Sequence, residues 1–156
     1  MSAVEDRLAE LGLFVPEVPT PAGAYVPALR EGDLVFTSGQ LPIASGQMDQ
    51  TGRVGDGHGL VPPDDAKALA QQCALNAIAA VKSVVDLDSV TRVVKVVGFV
   101  ASDPSFTNQP SVINGASELL REAFGDKGVH ARSAVGVAAL PLDAPVEVEV
   151  IVAVAD

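Results

Sequence analysis

Apolar positions along the chain recur with the spacing of strands in some segments and of helices in others. Runs rich in β-branched residues predict strands, and apolar residues three and four positions apart predict helices. The predicted elements, in chain order, are strands over 24–29 and 33–37, a helix from 64 or 65 to about 85, a strand over 90–100, a helix over 109–124, and strands over 131–137 and 146–153. No repeat or linker interrupts them, so residues 1–156 are predicted to form one domain.

The order β-β-α-β-α-β-β is typical of an α+β fold in which two helices cover one face of a mixed sheet. Arg30-Glu31-Gly32 predicts a hairpin turn between the first two strands, since glycine readily adopts positive φ. Asp64 or Asp65 is the predicted N-cap of the first long helix, and Gly125 is predicted to end the second.

Two segments fall outside this alternation of strands and helices. Residues 1–20 are interpreted as an N-terminal extension, in which a short amphipathic helix precedes a proline-rich run that favours an extended arm. Ser45–Pro63 contains five glycines and few large apolar residues, so we expect a loop there.

Charge and composition narrow the classes of function. Twenty acidic and ten basic residues give a formal net charge of −10, which argues against nucleic-acid or anionic-membrane partners. No run approaches the ~20 apolar residues of a membrane span, and residues 1–13 do not resemble a signal peptide. A single cysteine cannot form an internal disulfide, so we expect a cytoplasmic protein.

The last two predicted strands carry the main chemical candidates. Successive strand residues point to opposite faces, and we expect the valines of both strands to pack under the helices. His130, Arg132, Glu147 and Glu149 would then share the other face with small residues that leave room for a ligand. The alternative is a hydrated sheet face with an Arg–Glu pair of little energetic value, and the pattern alone favours that alternative.

Other candidates are ambiguous on their own. Tyr25 fits a half-buried aromatic of the first strand, and Ser38-Gly39 fits either a turn or a backbone contact to a ligand. Asn114 fits a hydrogen-bonded helix residue or a ligand contact. Cys73 lies on an apolar helix face, typical of a buried small residue. The two histidines have no metal-ligand spacing, so we predict no metal site.

Several segments together resemble the RidA family, also called YjgF or L-PSP. The resemblance extends from about Pro21 onwards, and its most specific part combines the strand end Thr-Ser-Gly-Gln with the Arg-Ser and Val-Glu-Val-Glu strands. The matching segments are 21–25, 34–42, 131–133, 140–141 and 146–149.

This resemblance implies a chorismate-mutase-like fold assembled as a homotrimer, with ligand sites between subunits. It also implies hydrolysis of reactive enamines and imines to 2-keto acids and ammonia without a cofactor. Arg132 would anchor the carboxylate of the substrate through a bidentate contact, and Glu147 would position the attacking water.

The resemblance further implies pocket-lining residues, which are Tyr25, Ser38, Gly39 and Asn114. His130 stands where the best-known members have proline, and it is included among the substrate-binding residues. Ala134 stands where those members often have cysteine, so no thiol can act there. A non-catalytic trimer that binds a small carboxylate is the alternative function, and the net charge makes ribonuclease activity a weaker expectation.

Overall fold

Five strands form one mixed sheet in the order β1-β2-β5-β3-β4, and two long helices cover one of its faces. The computed structural model of the chain describes residues 1–156. The predicted element order and the α+β class are confirmed. The helices are α1 (Ala3–Glu10), α2 (Pro63–Lys82) and α3 (Gln109–Phe124), and the strands are β1 (Ala28–Glu31), β2 (Leu34–Thr37), β3 (Val90–Ala101), β4 (Ala131–Val137) and β5 (Val146–Val154).

β1 begins later than predicted. The turn between β1 and β2 has two residues, Gly32 and Asp33, so Glu31 pairs with Leu34 and the ladder ends where Ala28 meets Thr37. Gly32 has φ of +59°, which explains the glycine in this turn. The strand expected over 24–29 is therefore wrong in its first half, because the register set by the turn leaves those residues without a partner strand.

α2 has a different start and end from those predicted. Pro62 is its N-cap, and Asp64 and Asp65 lie in the first turn, where carboxylates interact favourably with the helix dipole. The helix ends at Lys82 rather than near Val85. The bounds of α3 and β4 agree with the prediction, and Gly125 caps α3 with φ of +62°.

The valines of β5 pack under the helices, as predicted. Val146, Val148 and Val150 are buried in the core that α2 and α3 form with the sheet. Glu147 and Glu149 alternate with them and lie on the other face, which no helix covers; it is called the open face below. These two glutamates are half-buried.

The face of β4 that packs against the helices is the opposite of the predicted one. It runs parallel to β3, and Arg132 pairs with the buried Val96, which in turn pairs with Val150 under the helices. Arg132 therefore lies on the helix side of the sheet. Val135, which we expected to be buried, pairs with Phe99 on the open face and is 43% exposed.

The small residues of β4 explain this orientation. A Cβ at Gly136 would come within 2.6 Å of the Gln109 side-chain nitrogen at the start of α3. Ala134 packs against the core. The small residues thus let α3 approach the edge of the sheet, and the space that we assigned to a ligand is occupied by the helix.

The N-terminal extension is docked onto the domain through α1. Ser2 and Glu5 form a capping box, and Val4 and Leu8 are buried in the core. Arg7 donates to the carbonyl of Ala123 at the end of α3. Residues 14–27, including the proline-rich run, contain no helix or strand. None of the helices has the length and apolar character to cross a bilayer.

Candidate functional site

Arg132 is held in place by neutral hydrogen-bond acceptors. Its Nη1 donates to Asn114 Oδ1 at 2.8 Å and to Ser117 Oγ at 3.3 Å, and its Nη2 donates to the carbonyl of Pro110 at 3.3 Å. All three acceptors belong to α3. The chain's salt bridges join other residues, so the charge of Arg132 has no carboxylate partner.

The geometry leaves part of the guanidinium available. Of the five N–H groups of an arginine, three are used by α3, so Nε–H and one Nη2–H remain. The side chain is only partly buried, so an incoming group can reach these donors. Two parallel N–H groups match the two oxygens of a carboxylate.

His130 and Ser117 lie directly beside Arg132. The His130 ring contacts Ser117 Oγ through Nε2 at 2.8 Å and the Gly128 carbonyl through Nδ1 at 2.6 Å. Partial burial lowers the pKa of His130, and the positive charges of Arg132 and Arg121 lower it further against the opposing effect of the Gly128 carbonyl. The contacts with Ser117 and Gly128 occupy both ring nitrogens of His130.

Ser117 was missed by the sequence analysis. It follows Asn114 by three positions on α3, which places the two residues on the same helix face. That spacing was the available signal, but it becomes informative only once Arg132 is known to face this helix. The cation cluster is defined as Asn114, Ser117, His130 and Arg132.

Glu147 lies in a second group of residues on the open face. It sits against Gly39, so closely that a Cβ at position 39 would overlap the carboxylate oxygen Oε1. Burial raises the pKa of the Glu147 carboxyl, and the negative charge of Glu149 raises it further. Glu147 forms no salt bridge. The result is an unpaired acid whose charged form is disfavoured by its surroundings.

Ser38 connects the Gly39 segment to the residues before β1. Its backbone N–H donates to the Pro27 carbonyl at 2.8 Å, and its hydroxyl donates to the Val26 carbonyl at 2.6 Å. Tyr25 precedes Val26 and lies in a bend rather than in the first strand, which corrects the prediction. Its hydroxyl accepts from the Ala22 N–H at 3.2 Å, and the side chain is half exposed.

The acid cluster is defined as Tyr25, Ser38, Gly39 and Glu147. Within one chain it does not meet the cation cluster, because Arg132 faces the helices and Glu147 faces the open side. The two residues are also two strands and three ladder positions apart, on the order of 10 Å in each direction. The expectation that Arg132 and Glu147 share a face of one sheet is therefore wrong.

The open face carries exposed apolar side chains around the acid cluster. Leu29 pairs with Phe36, and Phe36 pairs with Ile151 of β5, which places all three on the open face with Val135. Leu29 and Phe36 are 49% and 38% exposed. A sheet face of this kind is typical of a surface that packs against another protein.

A cavity of about 620 Å³ lies away from both clusters. Its walls come from the arm after α1, from the segment after β2 and from α2. It is lined by Gly12, Leu13, Phe14, Pro16, Glu17, Val18, Pro19, Thr20, Ile43, Ala44, Ser45, Gly46, Gln72 and Leu75. None of the predicted site residues is among them.

Comparisons with known proteins agree on one family. The family model described as endoribonuclease L-PSP matches residues 16–154. Protein TCP17 of Trypanosoma cruzi is 42% identical over 96% of this chain and 92% of its own length. A 2-iminobutanoate/2-iminopropanoate deaminase of Dermatophagoides farinae is 33% identical over 91% of this chain and 94% of its own.

A solved structure matches nearly the whole chain. The crystal structure of protein Atu1372 from Agrobacterium tumefaciens aligns with a TM-score of 0.89 and 44% identity. The alignment covers 99% of this chain and 94% of that one. The docked α1 helix thus lies within a fold that the two proteins share.

Proposed function

The chain belongs to the endoribonuclease L-PSP family, also called the RidA or YjgF family, and from this membership we propose that it hydrolyses reactive 2-imino acids to 2-keto acids and ammonia. The deaminase from Dermatophagoides farinae, whose name specifies two such imino acids, is the relative that suggests this reaction. Arg132 is the proposed anchor of the substrate carboxylate, and Glu147 is the proposed partner of the attacking water.

The observation that carries the proposal is the state of the Arg132 guanidinium. It is oriented by three neutral acceptors on α3, has no carboxylate partner and keeps two N–H groups available. A cation held in this way is already in the geometry that a carboxylate needs, so binding costs little further ordering. Lysine could not reproduce the planar pair of donors.

The reaction makes modest demands on the protein. Water adds to the electrophilic imine carbon and gives a carbinolamine. One proton then moves from oxygen to nitrogen, the carbon–nitrogen bond breaks, and the products are ammonia and a 2-keto acid. The protein must fix the carboxylate, hold a water in attack range and help to transfer a proton. None of these steps requires an electron acceptor.

Glu147 suits the water-handling step in its environment. Burial and Glu149 raise the pKa of its carboxyl, which brings it closer to the pH at which a general base works best. Gly39 has no side chain and so makes room for the carboxylate, which a Cβ at this position would overlap. Ser38 and Tyr25 line the same segment, and Asn114 contacts Arg132 directly, so we retain all of them as proposed substrate-binding residues.

We propose that the complete site forms between copies of the chain, as a homotrimer would provide. Arg132 lies on the edge strand β4, and Glu147 lies on the open face, so one chain cannot bring them to one small substrate. The exposed apolar residues of the open face, Leu29, Phe36 and Val135, favour burial against another copy.

The test measures ammonia release from 2-iminopropanoate generated in situ by oxidation of alanine. Wild-type protein is expected to accelerate release above the spontaneous rate, and Arg132→Ala is expected to lower kcat/KM by about 100- to 1,000-fold. Arg132→Lys keeps the charge but loses the paired donors, so a loss of intermediate size is expected.

The matched control is Arg30→Ala. Arg30 forms hydrogen bonds only with Asp156 and the Gly32 carbonyl, at the end of β1 away from Ser38, so this variant is expected to keep wild-type turnover. Thermal unfolding verifies that each variant is folded. Wild-type ammonia release from folded Arg132→Ala, or no acceleration by wild-type protein, would refute the proposed reaction.

Carboxylate binding without turnover is the second candidate function. It is favoured by the fact that the cation cluster is complete within one chain, whereas Glu147 lies elsewhere. Saturable binding of a 2-keto acid that depends on Arg132, together with no acceleration of imine hydrolysis, would select this function.

A further inference from the structure

Ser117 and His130 form a chain of hydrogen bonds behind Arg132 that the proposed reaction does not yet use. From its geometry we propose that Ser117 positions the Arg132 guanidinium through a hydrogen bond whose direction His130 sets, and that protonation of His130 strengthens carboxylate capture at Arg132. This inference rests on the proposed carboxylate site, but not on turnover of an imine.

The direction of the chain follows from what each atom can donate. The Gly128 carbonyl only accepts, so His130 Nδ1, 2.6 Å away, carries the hydrogen. Neutral His130 then has a bare Nε2, which accepts from the Ser117 hydroxyl at 2.8 Å. Because the hydroxyl hydrogen of Ser117 points to His130, the lone pairs of Oγ face Arg132 Nη1 at 3.3 Å. Neutral His130 therefore fixes Ser117 as an acceptor for the arginine, and protonated His130, which donates from Nε2 to one lone pair of Oγ, leaves the other lone pair for Arg132.

Ser117 supplements Asn114 in this arrangement. The two side chains occupy both hydrogens of Nη1, and the Pro110 carbonyl takes one of Nη2. Rotation of the guanidinium would break several of these bonds at once. The free Nε–H and Nη2–H therefore keep a fixed direction, which makes Ser117 a positioning residue rather than a substrate contact.

The charged groups that act on His130 are all cations. They are Arg132 on β4, two residues after His130, and Arg121 on α3, and both lower its pKa, after burial as the main cause. From β3, Arg92 donates to the Val129 carbonyl next to His130. Glu118 and Glu122 of α3 and Asp126 of the turn after it line the surface next to Arg121 and Val129, and none of these carboxylates is among the groups that shift the pKa of His130. An anion that arrives at Arg132 therefore adds a negative charge close to the ring.

These charges determine whether protonation of His130 strengthens or weakens carboxylate binding at Arg132. A carboxylate bound to Arg132 neutralises one cation next to His130 and adds a negative charge, so it raises the pKa of His130. By reciprocity, protonated His130 must bind the carboxylate more tightly than neutral His130 does. Capture is therefore expected to strengthen as the pH falls through the pKa of His130 and to weaken as the pH rises through it.

The size of the effect is set by Coulomb interaction between partly exposed charges. His130 lies two residues before Arg132, and its surroundings are partly hydrated. The positive charge that it gains on protonation is therefore expected to improve carboxylate affinity on the order of three- to ten-fold. The direct hydrogen bonds of Arg132 would still supply most of the binding.

The experiment titrates the full-length protein with pyruvate by calorimetry, at fixed ionic strength, over roughly pH 5 to 8, where histidine changes charge. Wild-type protein is expected to bind pyruvate about three- to ten-fold more tightly at the low end. His130→Gln keeps an acceptor for Ser117 but cannot titrate, so its affinity is expected to stay constant over this pH range, whatever its level. Ser117→Ala is expected to bind more weakly throughout.

A second measurement needs no change at His130. The chain has two histidines, and His58→Gln leaves His130 as the only imidazole signal in an NMR titration. Saturating pyruvate is expected to raise the pKa of His130, whereas a histidine that is not coupled to the carboxylate site would not respond.

The outcomes separate this inference from the proposed function. Pyruvate binding whose pH dependence is the same in His130→Gln, or an unchanged His130 titration, would overturn the linkage and leave the carboxylate site intact. No pyruvate binding at any pH would instead remove the carboxylate site itself. Binding with the expected pH dependence but no imine hydrolysis would support the linkage and reject only the deaminase activity.

Discussion

The cation cluster and the acid cluster are built in opposite ways. Arg132 is surrounded by hydrogen-bond partners and lies against α3, so its charge is oriented and tolerated. Glu147 has a neighbouring glutamate and a glycine beside it, and both burial and Glu149 raise the pKa of its carboxyl. One cluster holds an oriented cation without a carboxylate partner, and the other holds an acid without a cationic partner.

This difference suggests separate roles for the two clusters, carboxylate binding for one and proton transfer for the other. A preorganised cation can capture a carboxylate at little entropic cost, whereas an unpaired, half-buried acid is available for proton transfer. Because the two lie on opposite faces of one sheet, a substrate can use both only if they come from different copies of the chain. Three predictions, from the largest expected effect to the smallest, test this division.

Complementation between two inactive variants is the strongest test. Arg132→Ala and Glu147→Gln are each expected to lose most imine hydrolysis. If each site of a homotrimer takes Arg132 from one copy and Glu147 from the next, every mixed trimer contains one complete site, so about a third of the sites in mixed assemblies is restored. The measurement is ammonia release by mixed assemblies, isolated after co-expression with two different affinity tags.

The control replaces one partner with the double variant Arg132→Ala/Glu147→Gln. Mixed with Arg132→Ala, it leaves every site without the arginine, so these assemblies should stay inactive. A site contained within one chain predicts no recovery in either mixture, and that result would remove the division between copies.

The sequence predicted the elements of this fold better than it predicted their orientation. The bounds of α3 and β4 could be predicted because local signals mark them, with Gly125 in a left-handed conformation at the end of the helix. Alternation in β4 likewise showed that Arg132 and Val135 face opposite sides. It did not show which side the helices cover.

The reason is that nonlocal packing decides the orientation of an edge strand. Hydrophobicity favoured burial of Val135, but the parallel register with β3 and the close approach of α3 to Gly136 put Arg132 on the helix side. Neither the register nor the approach is encoded within seven residues. The contact of Glu147 with Gly39 is also nonlocal, because 108 positions of sequence separate the two residues.

Gly39→Ala tests the acid cluster without changing any ionisable group. The φ of Gly39 is outside the left-handed region, so alanine fits the backbone, but its Cβ would overlap Glu147 Oε1 and force the carboxylate to move. We expect kcat for imine hydrolysis to fall about 10- to 100-fold, since small displacements of a reacting group are costly. KM should stay near the wild-type value because Arg132 is untouched.

Gly57→Ala is the matched control for this glycine. It lies in the loop after β2, and a Cβ there would contact only the Leu60 side chain, at 3.2 Å. Steady-state kinetics of both variants separate the effects. A rise in KM with unchanged kcat in Gly39→Ala would assign this segment to substrate binding instead of to the chemical step.

The prediction with the smallest expected effect compares the replacement of glutamate by glutamine at Glu5 and at Glu147. Glu5 is paired with Lys82 and caps α1 with Ser2, which lowers its pKa to about 2, whereas the pKa of Glu147 is raised. For Glu5 the ionised form stabilises the fold, so its contribution is present above the unfolded pKa of 4.5 and is lost as the pH falls towards 2. For Glu147 the protonated form is favoured, so its contribution is lost as the pH rises above 4.5.

Glu5→Gln should therefore lower the melting temperature at neutral pH, and Glu147→Gln should raise it, each by about 2 °C. Near pH 4, Glu147 is protonated in both folded and unfolded chains to a large extent, so the gain from Glu147→Gln should shrink there. Melting curves at one fixed protein concentration measure both, because assembly makes stability depend on concentration. A lower melting temperature for Glu147→Gln at neutral pH would mean that a cation from another copy already pairs with this acid, and the contrast between the two clusters would no longer hold.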